Sequence, residues 1–291
     1  MKISSKLIED FNDFLLIERQ HSINTAKSYT ATVEQFAEFI GDIEVAKIQQ
    51  DDIEKFKQKK ILEKKINTSA SEKATLSKIK SFFNFLVYDK ILKVSPANNL
   101  TYPKKGLTIP IYLTVTEMQS IFLFLRTNHR LCTPINRLII DVLYSAGLRV
   151  SELINLKISD IFFQNDLTNI HGKGGFTRII PFDEGTFTHL EHYIENDRRK
   201  FKNNVHVFLT SSGKLIRREH IFKLVKLICV EVGITKNVSP HTFRHSIATH
   251  LQQNGMSLHD LKTFLGHKSI ATTQIYTHTN IEHLRKTIDL L

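Results

Sequence analysis

Ser239-Pro240-His241-Thr242-Phe243-Arg244-His245 forms the predicted start of a helix near the end of the chain. Serine is a good helix cap, and proline is favoured at the first helical position. His241 and Arg244 are three residues apart, so both side chains lie on one face of the first turn. The free N–H groups and the dipole of that turn favour an anion such as phosphate. We predict a phosphate-binding helix start; the alternative is a surface histidine and arginine on an ordinary amphipathic helix.

A second candidate site lies upstream, in Gly147-Leu148-Arg149-Val150-Ser151-Glu152. The glycine ends a predicted helix, and Arg149 follows at the junction with the next one. Glu152 begins that next helix and is placed to orient the guanidinium. Because arginine stays charged and can bridge two phosphate oxygens, Arg149 is a candidate phosphate ligand. The alternative is a surface arginine–glutamate pair.

Lys173 is the third candidate. Residues 167–182 read as two short strands joined by Gly172-Lys173-Gly174-Gly175, a pattern typical of a β-hairpin. A lysine that projects from this turn beside a phosphate is suited to donate a proton to a leaving oxygen. The alternative is ordinary turn chemistry, in which lysine is common.

Two further candidates lie close to the end of the chain. His267 follows the helix-ending pair Leu265-Gly266, and Tyr276 lies nine residues later. A tyrosine with its usual pKa of about 10 is a poor nucleophile. It needs a neighbouring base and a positively charged site to attack phosphorus. The alternative for Tyr276 alone is a packed structural tyrosine.

Metal binding is the competing interpretation of the paired histidines. His241 and His245 are four residues apart, as in a zinc-protease helix. Thr242 stands where that motif has its general-base glutamate, and no carboxylate or cysteine cluster supplies more ligands. We therefore predict no metal and no other cofactor.

Composition indicates a polyanionic partner. The chain has 291 residues, with 40 Lys+Arg against 29 Asp+Glu and a formal net charge of +11. An excess of this size points to nucleic acid, although an ordinary basic protein is the alternative. Cys132 and Cys229 make no disulfide framework, which fits a reducing cytosol. We expect no signal peptide and no membrane span, since no apolar run approaches about 18 residues.

The pattern divides the chain into two domains. Residues 1–95 predict an all-helical domain, and the proline- and lysine-containing residues 96–110 predict a linker. Residues 111–291 predict a mainly α domain with a small β-sheet, which ends in a helix at 281–290. Val205 to Leu209 is a candidate short strand. Such a linker would let the two domains close around a duplex.

The order and spacing of the candidates resemble those of a known enzyme family. The flanking motifs are Ser145-Ala-Gly-Leu-Arg-Val-Ser-Glu-Leu153, His241-Thr-Phe-Arg-His-Ser-Ile-Ala-Thr-His-Leu251, Leu265-Gly-His267 and Thr273-Gln-Ile-Tyr-Thr-His278. Together they resemble the tyrosine recombinases, and length and motif style are most similar to the bacterial Xer recombinases. The helical first domain resembles the core-binding domain of that family. The matching catalytic positions are Arg149, Lys173, His241, Arg244, His267 and Tyr276.

The resemblance implies a covalent mechanism on double-stranded DNA. Tyr276 would attack the scissile phosphate and form a 3′-phosphotyrosyl bond. Arg149 and Arg244 would bind the non-bridging oxygens, with Glu152 supporting the first arginine. Lys173 would protonate the departing 5′ oxygen. His241 would act as base toward the tyrosine, and His267 would hydrogen-bond the phosphate.

The resemblance also implies partners and a setting. Strand exchange would pass through a Holliday junction in a homo- or hetero-tetramer on two duplexes, without ATP or metal. A paralogous recombinase and a DNA translocase are possible partners, in the cytoplasm with the nucleoid, and the apolar stripe of the terminal helix would dock on a neighbouring subunit. The expected role is resolution of chromosome or plasmid dimers. The alternatives are a mobile-element integrase or excisionase, a type IB topoisomerase and an inactive DNA-binding protein.

Overall fold

The computed structural model describes residues 1–63, 65–103, 111–127, 129–172, 176–201 and 204–266. The chain divides into two compact units, Met1–Thr108 and Ile109–Leu291. The predicted terminal helix at 281–290 lies outside the described residues. Within the described ranges, every helix is too short or too polar to span a bilayer.

The first unit is built from four α-helices around a phenylalanine-rich core. Three of them begin at a serine or threonine cap, and α3 begins with a capping box. Phe11, Phe36, Phe56, Phe82 and Phe83 are fully buried in this core. The helices are α1 (Ser5–Asp13), which continues as a π-helical turn over Phe14–Glu18, α2 (Ile23–Ile40), α3 (Gln50–Leu62) and α4 (Ser69–Tyr88).

Two sequence features of the first unit have a clear place in this fold. Ala97 and Leu100, from the predicted linker, are buried against the helical core. The lysine-rich face of α3 carries ion pairs with neighbouring carboxylates, including Lys55 with Asp51 and Lys57 with Glu54. These pairs partly compensate the positive charge of this face.

The second unit packs its helices around α6. All residues from Leu138 to Ser145 of that helix are buried, which makes it the central element of the unit. The hydroxyl of Tyr144 and Nδ1 of His250 are 2.7 Å apart, which ties α6 to α10. The helices are α5 (Val115–Phe124), α6 (Pro134–Ser145), α7 (Val150–Asn155), α8 (Glu184–His192), α9 (Arg218–Glu231), α10 (Pro240–Gln253) and α11 (Leu258–Leu265).

A three-stranded antiparallel sheet completes the second unit, with β1 (Ile161–Phe162), β2 (Leu167–His171) and β3 (Thr177–Pro181) in that order. The predicted hairpin is β2–β3, whose register pairs Leu167 with Pro181 and His171 with Thr177. Ile170 and Arg178 face each other across the hairpin, and both are buried. The predicted class, mainly α with a small β-sheet and a helical first domain, is confirmed.

One local prediction was wrong. The suggested strand at 205–209 forms only isolated bridges, from His206 to Lys157 and from Leu209 to Leu215. Over residues 184–201 the chain stays helical, with α8 ending at His192 and followed by a π-helical turn and then a 3₁₀ turn.

Candidate active site

The junction between α6 and α7 positions Arg149. Gly147 has a φ of +55°, and a Cβ there would lie 3.0 Å from Leu265 Cδ2 and 3.1 Å from Ile247 Cγ2. Glycine is thus required both by the left-handed backbone and by the space. The turn places Arg149 at the N-cap of α7, where its backbone N–H donates to Glu152 Oε2 at 2.9 Å. Its Nη1 donates to Glu152 Oε1 at 2.7 Å, and a third of its side chain remains exposed.

Arg244 comes from the second turn of α10 and is almost completely buried. Its Nη1 donates to the Gly147 carbonyl at 2.6 Å, and its Nη2 donates to the Leu265 carbonyl. Its Nη1 also lies 4.0 Å from Glu152 Oε2. Burial, together with the nearby guanidinium groups of Arg149 and Arg178, lowers the pKa of Arg244 to about 9. The side chain is therefore still charged at neutral pH, but in an environment that penalises its charge.

A third arginine, Arg178, was missed in the sequence analysis. It lies on the buried face of β3, and its Nη1 and Nη2 donate to the two oxygens of Glu152 at 3.1 and 3.0 Å. Its Nε donates to the Phe264 carbonyl at 2.8 Å. One signal for this placement was present, since Arg178 is two residues before Ile180 and side chains on a strand alternate. An inward Ile180 puts Arg178 on the same face.

Backbone carbonyls at the C-terminal end of α11 accept hydrogen bonds from all three arginines. The last carbonyls of a helix have no partner within it, and they carry the negative end of the dipole. Here the three successive carbonyls of residues 264–266 accept from Arg178, Arg244 and Arg149, the last at 3.3 Å. Gly266 ends the helix with a φ of +66°, and a Cβ there would lie 3.0 Å from Arg178 Nη1. His267 follows directly in the sequence.

Glu152 lies at the centre of this cluster and is itself buried. Burial opposes ionisation of its carboxyl, but the hydrogen bonds and charge of Arg178 and the hydrogen bonds from Arg149 outweigh burial and lower its pKa. Among the described residues, this single carboxylate pairs with three guanidinium groups. The cluster thus carries two more positive than negative charges, an arrangement that favours a bound anion.

His241 lies at the exposed start of α10, one residue after Pro240. Partial burial of its ring, followed by the charges of Arg218 and Arg244, lowers the pKa of His241. The imidazole is therefore neutral near pH 7. A neutral imidazole beside an anion-binding cluster can accept a proton, as a general base must.

The chain is similar to known proteins over almost its whole length. Residues 112–283 match the phage integrase family, and residues 8–90 match the phage integrase N-terminal SAM-like domain. A tyrosine recombinase XerD of Oceanobacillus iheyensis is 35% identical over 286 residues, covering 96% of this chain and 95% of that protein. The chain belongs to the tyrosine recombinases of the phage integrase family. It is therefore a site-specific recombinase, and the predicted resemblance is confirmed.

Two other proteins are similar to this recombinase. A tyrosine recombinase XerC of Bacillus pumilus is 31% identical, over 99% of this chain and 96% of that protein. A crystal structure of a λ integrase tetramer bound to a Holliday junction has a TM-score of 0.72 at 16% identity, covering 94% of this chain and 79% of that one. At that identity the likeness concerns the fold.

The predicted site residues of the recombinase fall into two groups. The structure brings Arg149, Glu152 and Arg244 into one cluster, in which Arg149 donates to Glu152 and Arg244 Nη1 lies 4.0 Å from Glu152 Oε2. Burial and the charges of nearby arginines, Arg244 and Arg149 among them, lower the pKa of His241. Lys173, His267 and Tyr276 lie outside the described residues. Within the described ranges, no group of three His, Cys, Asp or Glu side chains is arranged to hold a metal ion.

Proposed function

We propose that this recombinase breaks and rejoins DNA at a phosphate bound by Arg149 and Arg244. The observation that carries the proposal is the buried arginine cluster, in which three guanidinium groups share the carboxylate of Glu152. Arg149 is partly exposed, so it can reach a duplex, whereas Arg244 is fixed by two backbone carbonyls. Fixed donors aimed at developing negative charge stabilise a transition state, because they need no reorganisation during the reaction.

The chemistry follows from these groups and from the family resemblance. The Tyr276 oxygen forms a bond to phosphorus while the bond from phosphorus to the 5′ oxygen breaks. The tyrosine proton passes to neutral His241, and Lys173 supplies a proton to the departing 5′ oxygen. His267 hydrogen-bonds the phosphate. A 5′-hydroxyl from the partner duplex then attacks phosphorus and releases Tyr276, so the number of phosphoester bonds is unchanged and no ATP is needed.

The biological setting we propose is resolution of chromosome or plasmid dimers in the bacterial cytoplasm. Its support is the near-full-length similarity to proteins named XerD and XerC. Two such names among the relatives also favour a paralogous partner. The λ integrase tetramer on a Holliday junction supports four subunits on two duplexes as the working assembly. The net charge of +11 supports binding that is directed mainly at phosphates and weakened by salt.

The decisive experiment is trapping of the covalent intermediate. The DNA site is first identified by selecting duplexes that the protein binds from a randomised library. A nick is then placed next to the cleavage position of this site. Cleavage releases a short strand from the nicked duplex, and its loss prevents religation. Wild-type protein should become linked to the 3′ side of the break, and Tyr276→Phe should bind the DNA equally well but form no adduct. Tyr88→Phe, which changes an exposed tyrosine of the first unit, serves as the matched control and should react normally.

Two outcomes would contradict the proposal. If wild-type protein forms no adduct on selected sites, the chain binds DNA without catalysis. If Tyr276→Phe still forms the adduct, another residue is the nucleophile. A parallel assay with supercoiled plasmid that lacks the selected site tests the topoisomerase alternative, because rapid relaxation of that plasmid would show cleavage without site recognition.

A further inference from the structure

We infer that Arg178 is a positioning residue that keeps the charges of Arg149 and Arg244 available to the phosphate. This inference rests on the proposed function of that arginine pair. Arg178 itself cannot contact DNA, because only 1% of its side chain is exposed. It acts through Glu152, whose two oxygens it occupies, and through the Phe264 carbonyl.

Arg178 determines how much positive charge the cluster leaves for the phosphate. With Arg178 in place, three guanidinium groups surround one carboxylate, so two positive charges are left uncompensated for the phosphate. Without Arg178, Glu152 would draw its compensation from Arg149 at 2.7 Å and from Arg244 at 4.0 Å. The excess would fall to one positive charge. Because the cluster is buried, this difference acts through a low effective dielectric and is felt strongly by an anion at its edge.

Arg178 also holds neighbouring segments in place. Arg178 joins three segments that are far apart in the sequence: the β2–β3 hairpin, the α7 N-terminus through Glu152, and the end of α11 through the Phe264 carbonyl. Two glycines leave room for these contacts. A Cβ at Gly266 would lie 3.0 Å from Arg178 Nη1, and one at Gly172 would lie 3.8 Å from Glu152 Oε1. One buried guanidinium thus ties the α7 N-terminus, which carries Arg149, to the end of α11, whose Leu265 carbonyl accepts from Arg244.

The competing explanation is that Arg178 only forms a structural salt bridge with Glu152. The two explanations differ in how the cleavage rate depends on the net charge of the cluster. In Arg178→Gln the cluster keeps one excess positive charge. In the double variant Arg178→Gln/Glu152→Gln the excess returns to two, although the buried ion pair is gone. A structural role predicts that the double variant is no better than the single one. A charge-setting role predicts recovery.

The first measurement is the rate of adduct formation on two substrates. One is the nicked phosphodiester site, and the other carries a methylphosphonate at the scissile position, which lacks one negative oxygen. Removing one preorganised donor to a developing oxyanion costs about 100-fold or more in rate, and we expect a loss approaching about 100-fold for Arg178→Gln on the phosphodiester. The loss should be at least several-fold smaller on the methylphosphonate, and the double variant should recover about tenfold relative to Arg178→Gln.

The second measurement is independent of DNA cleavage. Sulfate is a tetrahedral dianion that resembles the phosphate, and a ligand that binds the folded state raises the melting temperature. Sulfate, compared with chloride at equal ionic strength, should stabilise wild-type protein and the double variant more than Arg178→Gln, which keeps only the general stabilisation that sulfate gives folded proteins. Arg198→Gln is the matched control, since Arg198 is equally buried but donates to the carbonyls of His206 and Asn204. It should keep the sulfate response.

The inference is overturned if Arg178→Gln cleaves within about threefold of wild type, if its loss is equal on both substrates, or if the double variant shows no recovery. It is equally overturned if Arg178→Gln keeps the full sulfate response. Failure of the proposed function gives a different pattern. In that case wild-type protein forms no adduct at all, while the sulfate comparison still decides the role of Arg178.

Discussion

Arg244→Gln separates the catalytic role of this buried arginine from its contribution to stability. The pKa of Arg244 is lowered to about 9 by burial and by Arg149 and Arg178. Each unit of pKa corresponds to about 1.4 kcal/mol, so holding the charge in this site costs on the order of 5 kcal/mol. Glutamine removes that cost, because its side chain is neutral.

The substitution also removes favourable contacts. Arg244 donates to the carbonyls of Gly147 and Leu265, and a hydrogen bond from a charged donor contributes about 1.5–3 kcal/mol. The two losses together are about 3–6 kcal/mol, close to the charging cost that is relieved. We therefore expect the free energy of unfolding to change by less than about 2 kcal/mol. Adduct formation should nevertheless fall by about 100- to 1,000-fold, the usual effect of losing one oxyanion donor.

The assay combines urea unfolding with the rate of adduct formation on the nicked site. Arg198→Gln is the control, because it loses comparable carbonyl contacts without relieving repulsion from neighbouring arginines. It should be destabilised more than Arg244→Gln and yet cleave at the wild-type rate at temperatures where it is folded. A loss of more than about 3 kcal/mol in Arg244→Gln, or cleavage within tenfold of wild type, would refute the reasoning.

Three further predictions concern pH, backbone geometry and metal. Burial and neighbouring arginines lower the pKa of His241 below the ordinary histidine value of about 6.5, so the acid-side decline of the adduct rate should lie at lower pH than for an ordinary histidine. A rate that already halves at pH 7 would contradict this, and His241→Gln should lose the acid limb. Gly147→Ala should destabilise by about 1–3 kcal/mol or more, because strain at a positive φ adds to contacts with Leu265. Gly233→Ala has a similar φ and open space, so thermal melting should show a smaller loss there. Adduct formation should be unchanged by a chelator, since the proposed site binds phosphate with guanidinium groups; loss of the adduct in EDTA and its return with Mg²⁺ would count against that site.

Local motifs predicted part of the site because local geometry determines it. Arg149 and Glu152 are three residues apart at a helix start, where such a spacing brings side chains together. Arg244 was also predicted from local sequence, because it lies in the helix that Ser239 caps. Arg178 was missed because a lone arginine in a strand is usually exposed, and its partners come from α7 and α11. The strand alternation with Ile180 carried the information, but the carboxylate and the carbonyl that satisfy this buried arginine come from distant segments.

The use of backbone carbonyls explains how the site holds three arginines without cancelling their charge. A carboxylate partner for each guanidinium would position it equally well but would leave nothing for an anion. The carbonyls of Gly147 and residues 264–266 orient the guanidinium groups as dipoles, with no net charge of their own. The same choice requires the end of α11 to lie against the arginines, and this packing needs glycine at both 147 and 266. The positive charge of the site and the glycines at 147 and 266 therefore follow from one arrangement, in which backbone carbonyls and a single carboxylate hold three guanidinium groups.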